Sequence, residues 1–396
     1  MAEEMMEPTD SAVLAGTLPP VEQEGEPRIV IASQWRLMWW KFKRHKLAMV
    51  SLVIILVMYT VAVFAGFFAP SLTDKFKSGY VAAPPQTIQW VDNGTFGPFV
   101  YGYKLETDPL TYRRTFAVNF EDKIPLAFLV RGEPYKIGLH GLPIPILNKL
   151  YIEWDVHFFG PINKGDAFYP FGADDVGRDM LTRLIYGSQV SLSVGLVGVF
   201  LSLVLGIFLG GLSGLVGGWV DNLIQRIIEV LRSIPDIPLW MALATAVPPR
   251  WDPIWVYFGI TVILSLLGWT GMARVVRGKF LSLREEDFVV AAELDGVPRR
   301  RIIMRHMLPS FMSHVIASAT LAIPGMILGE TALSFLGLGL RQPVVSWGVM
   351  LHESMDIAAI ANTPWLLLPG LAVVITVLSF NFLGDGLRDA ADPYHA

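Results

Sequence analysis

The chain has 396 residues, of which 53% are hydrophobic, 12% aromatic and only 17% charged, with a formal net charge of −4. Soluble globular proteins carry about a quarter charged residues, so this composition, with a mean hydropathy of +0.48, points to a membrane protein. Zero cysteine excludes a disulfide framework, thiolate metal sites and a Cys nucleophile, and 31 basic against 35 acidic side chains argue against a nucleic-acid partner.

Residues 1–29 hold seven acids, few aromatics and several Pro and Gly, which reads as a disordered cytoplasmic tail over 1–34. Arg36, Lys41, Lys43, Arg44 and Lys46 then precede residues 47–68, which are 22 residues without a charge. A bilayer core about 30 Å thick needs about 20 apolar residues at 1.5 Å rise each. Residues 35–70 therefore read as a basic segment and a retained first transmembrane helix, not a cleaved signal. Residues 71–170 are rich in Tyr, Phe, Trp, Pro and Gly. Within them 87–91 and 150–154 read as short strands and Asn93-Gly94 as a turn. An inserted β-rich extracytoplasmic module is expected there, either a cover and assembly surface or a docking platform for an external partner. Its Asn93-Gly94-Thr95 is a glycosylation sequon.

Further apolar stretches follow at 184–220, 221–246, 253–273, 310–329 and 357–384. The expectation is an all-α polytopic protein of six transmembrane helices, with 171–396 as its helical core. The stretch 221–246 is the least regular, because Arg226, Glu229, Arg232 and Asp236 fall within it. Lys and Arg in short connections set orientation. The segment 274–309 holds eight of them, while the two short connections on the other side hold one each, Arg250 and Arg341. Both termini and the 274–309 loop are expected in the cytoplasm.

Inside the stretches, Gly206, Gly210, Gly214 and Gly218 recur every four residues, a ridge that lets helices pack closely and is compatible with a hinge. Pro324-Gly325 and Pro369-Gly370 read as helix interruptions, either bending points or kinks held by packing. Arg226 and Glu229 at i, i+3, and Glu330 at the outer end of the fifth stretch, are candidates for a translocation path or for helix pairing. Asp174 and Asp175 read as helix caps rather than cation ligands. The seven His fall in no metal-ligand spacing.

The basic loop contains Leu283-Arg-Glu-Glu-Asp-Phe-Val-Val-Ala-Ala-Glu-Leu-Asp-Gly-Val-Pro298. Acids at its start suit a helix N-terminus, and Gly296 followed by Pro298 is a stop signal. Phe288, Ala291 and Ala292 at i, i+3, i+4 make a narrow face with two small residues. Such a helix fits either a groove on a second protein or, with Arg299, Arg300, Arg301 and Arg305 behind it, an anionic lipid surface.

The segment Ala291-Ala292-Glu-Leu-Asp-Gly296, with Leu308-Pro309 twelve and thirteen residues beyond the glycine, resembles the "EAA" loop of importer permeases in ATP-binding-cassette systems. More narrowly, it resembles the second permease of the oligopeptide, dipeptide and nickel branch. Val290 stands at the first EAA position and His306 before Leu-Pro. Other stretches resemble the same branch in the same order. They are Phe171-Gly172-Ala-Asp-Asp-Val-Gly177-Arg178-Asp179-Met-Leu-Thr-Arg183-Leu-Ile-Tyr-Gly187, Gly217-Gly218-Trp-Val-Asp221, Glu330-Thr-Ala-Leu-Ser-Phe-Leu-Gly-Leu-Gly339, Pro343-Val-Val-Ser-Trp347-Gly348 and Gly384-Asp-Gly-Leu-Arg388-Asp389-Ala-Ala-Asp-Pro393. The resemblance covers roughly 35–70 and 168–396; the acidic tail and 71–167 lie outside it.

The resemblance implies a multi-pass subunit of a bacterial inner membrane, not itself an enzyme, with a type I importer-like fold. Phe288, Ala291, Ala292, Asp295, Gly296, Arg299 and Arg300 would form a coupling helix docking on a cytoplasmic ATPase. Its partners would be a second homologous permease in a heterodimer, two ATPase subunits that bind ATP and Mg²⁺, and an extracytoplasmic solute-binding protein. The chain itself lacks a Walker A pattern around Gly278-Lys279, and no cofactor is expected in it. The branch implies a peptide-like solute, or by the same mechanism an oligosaccharide or nickel chelate. An ATP-independent secondary transporter is the competing class, for which inverted repeats and coupling acids near the midplane are the expected marks.

Overall fold

The computed structural model describes residues 34–391 apart from 93–94, 108, 110–113, 139–150, 249 and 356–360. The tail read over 1–34 lies almost wholly outside these residues, as do the Asn93-Gly94 turn with its sequon and the first residues of the last apolar stretch.

The chain begins with two helices, α1 (Gln34–Arg44) and α2 (Lys46–Val63). His45 separates them and caps α2, its Nδ1 accepting from the Ala48 amide at 3.1 Å. A short α3 (Ala65–Phe68) follows a break at Phe64. Four antiparallel strands come next: β1 (Gln89–Asp92), β2 (Thr95–Thr107), β3 (Arg114–Gly138) and β4 (Tyr151–Pro161), in the order β1-β2-β3-β4. The regular elements described after β4 are helical. The long elements are α4 (Met180–Val216), α5 (Gly218–Ser233), α7 (Pro253–Leu283), α11 (Met312–Phe335) and α13 (Leu368–Ala391). The short ones are α6 (Asp236–Ala244), α8 (Asp287–Leu294), α9 (Arg299–Ile302), α10 (Leu308–Ser310) and α12 (Trp347–Glu353).

Among the described residues five helices are long and apolar enough to cross a membrane: α2, α4, α7, α11, and α13 with the 3₁₀ turn before it. The third expected span is not a single helix. Ile234 and Pro235 are both extended, because proline removes an amide donor and pushes the residue before it out of the helical region. The 221–246 stretch is therefore the broken pair α5–α6. Its α5 half buries only Ile224 and Ile228, and Arg226 and Glu229 sit on its exposed face.

The glycine ridge works as a contact, with one correction. A Cβ at Gly210 would lie 2.4 Å from the Ala273 carbonyl oxygen, one at Gly206 2.6 Å from Met272 Cβ, and one at Gly214 2.9 Å from Phe280 Cβ. So α4 and α7 approach backbone to backbone. Gly218 is not on that ridge: with Gly217 it adopts positive φ (+56° and +65°) at the α4–α5 bend, a conformation glycine reaches without steric cost. Pro369 interrupts nothing either, being the second residue of α13, where its missing amide is harmless. Pro324 does lie inside α11.

The main core joins α2, α4, α7, α11 and α13 around Ile55, Leu192, Leu264, Ile327 and Phe380. Tyr59 meets Phe380 edge to face at 6.3 Å and donates to the Leu192 carbonyl at 3.4 Å. The sheet has its own core of Val100, Ile124 and Leu126 with Tyr80, Phe168 and Tyr169. The short strands read at 87–91 and 150–154 overlap β1 at 89–91 and β4 at 151–154. The two long strands between them were not legible, since Gly97-Pro98 and Pro125 interrupt the alternation. The register shift between Gln89 and Val91 of β1, opposite Gly97-Pro98, absorbs the first of these interruptions, and further shifts fall at Tyr101/Gly102 and Arg131/Tyr135. The first half of β3 pairs with β2 and its second half with β4.

Candidate functional site: an exposed helical loop and buried polar clusters

The 274–309 loop leaves α7 at Arg284 and enters α8 at Glu286, with Asp287 in the first turn against the helix dipole. The helix closes with a Schellman motif. The Gly296 amide donates to the Glu293 carbonyl at 3.0 Å, and the Val297 amide to Ala292 at 3.1 Å. Gly296 supplies the required positive φ, +74°. One side chain of α8, Val289, is buried (2% exposed). It sits in a cluster with Met272, Val276, Phe280, Ile302, Met307 and Phe311, so the loop is anchored on α7 and the approach to α11.

The face expected from spacing is rotated. Ala292 packs half-buried beside Val289, whereas Phe288, Val290, Ala291 and Leu294 point outward, Leu294 84% exposed. Asp295 and Gly296 are exposed as well. An eight-residue helix therefore offers a broad apolar surface with one buried anchor. For Arg299 and Arg300 the structure describes the backbone alone, in α9.

At the other end of α4, motifs far apart in sequence converge. Asp179 caps α4, accepting from the Thr182 amide at 2.8 Å and its hydroxyl at 2.6 Å. The expected caps Asp174 and Asp175 do not perform this role. Asp174 instead accepts from the Val176 and Arg178 amides (2.9 and 2.8 Å), from Arg178 Nε at 2.6 Å and from Arg183 Nη1 at 2.5 Å. Arg183, its side chain 1% exposed, also donates to Glu353 Oε2 at 2.6 Å, tying α4 to α12. Asp174, Asp175 and Glu353 bring carboxylate oxygens within 4.8 Å of one another. Two guanidiniums already use Asp174 and Glu353, so the group reads as an ion-pair network. The partner Glu353 lies 170 positions from Arg183, beyond the reach of any local pattern.

Glu330 is wholly buried. Its carboxylate accepts from Ser346 at 2.8 Å, Ser334 at 2.9 Å and Ser191 at 3.3 Å. Ser346 also caps α12 through the Val349 amide, and Ser191 accepts from the Trp347 amide at 3.1 Å. Trp347, 1% exposed, donates its indole N–H to the Leu184 carbonyl at 3.1 Å. Glu330 thus knits α4, α11 and α12 together. Arg226 and Glu229 do pair, at 2.7 Å, but with side chains 81% and 53% exposed on α5, away from Glu330. A pair the sequence did not disclose is Asp221 with Arg277, bidentate at 2.6 and 2.5 Å. Those bonds clamp the α4–α5 bend onto α7.

Between α4, α5–α6, α7 and α11 lies an open cavity of about 780 Å³, lined among others by Ser202, Arg232, Asp236, Trp240, Thr270 and Met326. Arg232 and Asp236, charges the sequence placed in the third stretch, face this space; Arg232 Nε donates to Thr270 Oγ1 at 3.2 Å.

The model of the family described as binding-protein-dependent transport system inner membrane component matches residues 202–394. That of the N-terminal TM domain of oligopeptide transport permease C matches 33–85. The sheet lies between the two. The chain is 41% identical over 242 residues to the oligopeptide transport system permease protein OppC of Haemophilus influenzae, covering 61% of this chain and 75% of that one. It is 41% identical over 264 residues to OppC of Escherichia coli K12 (65% and 83%). Against the dipeptide transport system permease protein DppC of Alkalihalophilus pseudofirmus it is 42% identical over 224 residues (56% and 71%). With relatives this similar over most of their length, the chain belongs to the inner-membrane permease subunits of binding-protein-dependent ATP-binding-cassette importers, in their oligopeptide and dipeptide branch.

Proposed function

We propose that this chain forms half of the membrane path of an importer for peptide-like solutes, paired with a second permease, and that α8 is where ATP hydrolysis on partner subunits reaches it. The solute class follows from the oligopeptide and dipeptide systems named for its relatives. The observation that carries the coupling role is α8 itself: a capped helix with one buried anchor, Val289, and outward Phe288, Ala291 and Leu294. Apolar side chains exposed on a rigid helix at the end of a long span suit insertion into a groove on a moving partner. Two ATPase subunits would hold ATP and Mg²⁺ and, on closing, displace α8 with α7 and α11, opening the path alternately to each side. The basic loop would face the cytoplasm with both termini, with the broken α5–α6 pair completing an even number of crossings. The 71–170 segment would face the binding protein's compartment. The cavity lined by Arg232, Asp236 and Trp240 is the part of this half best suited to line a polar path, while buried Glu330 serves helix pairing.

The test is peptide-stimulated ATP hydrolysis by the reconstituted complex with its binding protein. Leu294→Asp and Gly296→Arg should each remove most of the stimulation while the complex stays folded. Full stimulation in both variants would end the coupling assignment.

A further inference from the structure

The apolar surface of α2 does not stop where the helix ends. Val57, Val63 and Phe64 point outward (55%, 62% and 44% exposed), as expected of a helix side bathed in lipid. Beyond them Phe67 and Phe68 of α3 each lie 5.8 Å from the Phe158 ring of β4, and Phe158 lies 5.7 Å from Phe128 of β3. Phe158, Phe128 and the adjoining Leu129 remain exposed, at 42%, 55% and 63%. One aromatic seam thus runs from the span onto the sheet.

The sheet is fixed at that level. His157, 1% exposed, bridges the Ala69 carbonyl at 2.6 Å and the Glu133 carbonyl at 3.0 Å. The Tyr135 ring lies against Gly66 so closely that a Cβ there would sit 2.1 Å from it, and its hydroxyl donates to the Val156 carbonyl at 2.6 Å. Leu129 holds a φ of +55°, a region that costs a bulky residue energy, yet this conformation turns it outward. Exposed Arg131 lies two positions beyond Leu129. Aromatic and aliphatic groups with a basic side chain beside them match the headgroup boundary of a bilayer.

We propose that the middle of the β3–β4 pair is seated on the membrane surface beside the end of α2, with Phe128, Leu129 and Phe158 in the headgroup–acyl boundary. The inserted module then lies against the bilayer by one edge and does not project freely from it. The proposal rests on α2 crossing the membrane; it is independent of the coupling role of α8. The occupant is lipid rather than a protein partner because the patch continues a lipid-facing span. The other exposed aromatic on β3, Phe120 (73%), packs on Tyr101 of β2 at 5.1 Å, at the register shift between β2 and β3, and lies outside the seam.

The chain contains no cysteine, so Leu129→Cys and Phe120→Cys each introduce a single thiol into it for an environment-sensitive fluorophore. The complete complex is placed in phospholipid nanodiscs, and an identically treated unsubstituted complex corrects for thiols of partner chains. The expected result is quenching by headgroup-proximal doxyl lipid several-fold stronger at 129 than at 120, with iodide quenching weaker at 129. Iodide reaching both positions alike would place the patch in water, and position 129 inaccessible to both quenchers would place it under a protein partner. Either result overturns the proposal. Phe128→Cys provides the same reading if Leu129→Cys does not assemble.

Discussion

The two ends of the helical core are built on opposite plans. At one end Asp174, Arg178, Arg183 and Glu353 close an ion-pair network and three serines enclose Glu330, so α4, α11 and α12 are tied by directional bonds. At the other end α8 keeps one anchor, Val289, and leaves Phe288, Ala291 and Leu294 outside. Removing one partner of a buried ion pair is costly, so the first end resists rearrangement. An exposed apolar helix gains stability only when something covers it. One end sets the fold, and the other is open to a partner.

The largest effect is expected in the buried ion-pair network. Arg183→Ala leaves Arg178 alone to hold both Asp174 and Glu353 in a site that admits 1% of the Arg183 side chain to solvent, and should cost about 3 kcal/mol. It is read as a lowered thermal midpoint of the purified subunit. A loss no larger than that of a surface variant would break the contrast. Next comes the α4–α7 contact. Gly210→Val drives a side chain toward the Ala273 carbonyl, already 2.4 Å from the position of a Cβ. The cost should be about 1–3 kcal/mol, measured by the same unfolding assay, and unchanged stability would mean that the two backbones can separate.

How much of this contrast could be read from the residues alone differs between the ends. The α8 loop was legible because helix start, stop glycine and small residues lie within a dozen positions. Its orientation was not, because spacing gives a face without saying which face meets α7. The network at the other end was hidden for another reason. Arg183 and Glu353, or Glu330 and Ser191, meet only after the helices pack, and each looks isolated in its own stretch. The five long helices showed as uncharged runs, whereas the α5–α6 break required weighing Pro235 above the apolar average. The expected caps at Asp174 and Asp175 failed because Asp179, nearer the helix, takes that role and frees Asp174 for the arginines.

A smaller effect sharpens the comparison at the bend between α4 and α5. Asp221 accepts two bonds from the Arg277 guanidinium, and Asp221→Asn should lower stability by on the order of 1 kcal/mol, read as the thermal midpoint of the purified subunit. An unchanged midpoint would mean that the bend is held by packing and not by the ion pair. The smallest effect on stability belongs to Leu294→Asp. At 84% exposure it should shift unfolding by no more than about 0.5 kcal/mol, while its effect on coupled ATP hydrolysis should be the largest of the set.

Whether α8 meets an ATPase is tested most directly by cross-linking in the assembled importer. Leu294→Cys and, as a control on α5, Trp219→Cys (76% exposed) are each treated with a short bifunctional thiol reagent, with and without ATP. A covalent adduct between the Leu294→Cys chain and an ATPase subunit, with none from Trp219→Cys, is the predicted result. Absence of that adduct in every nucleotide state, or equal yields from both positions, would contradict it.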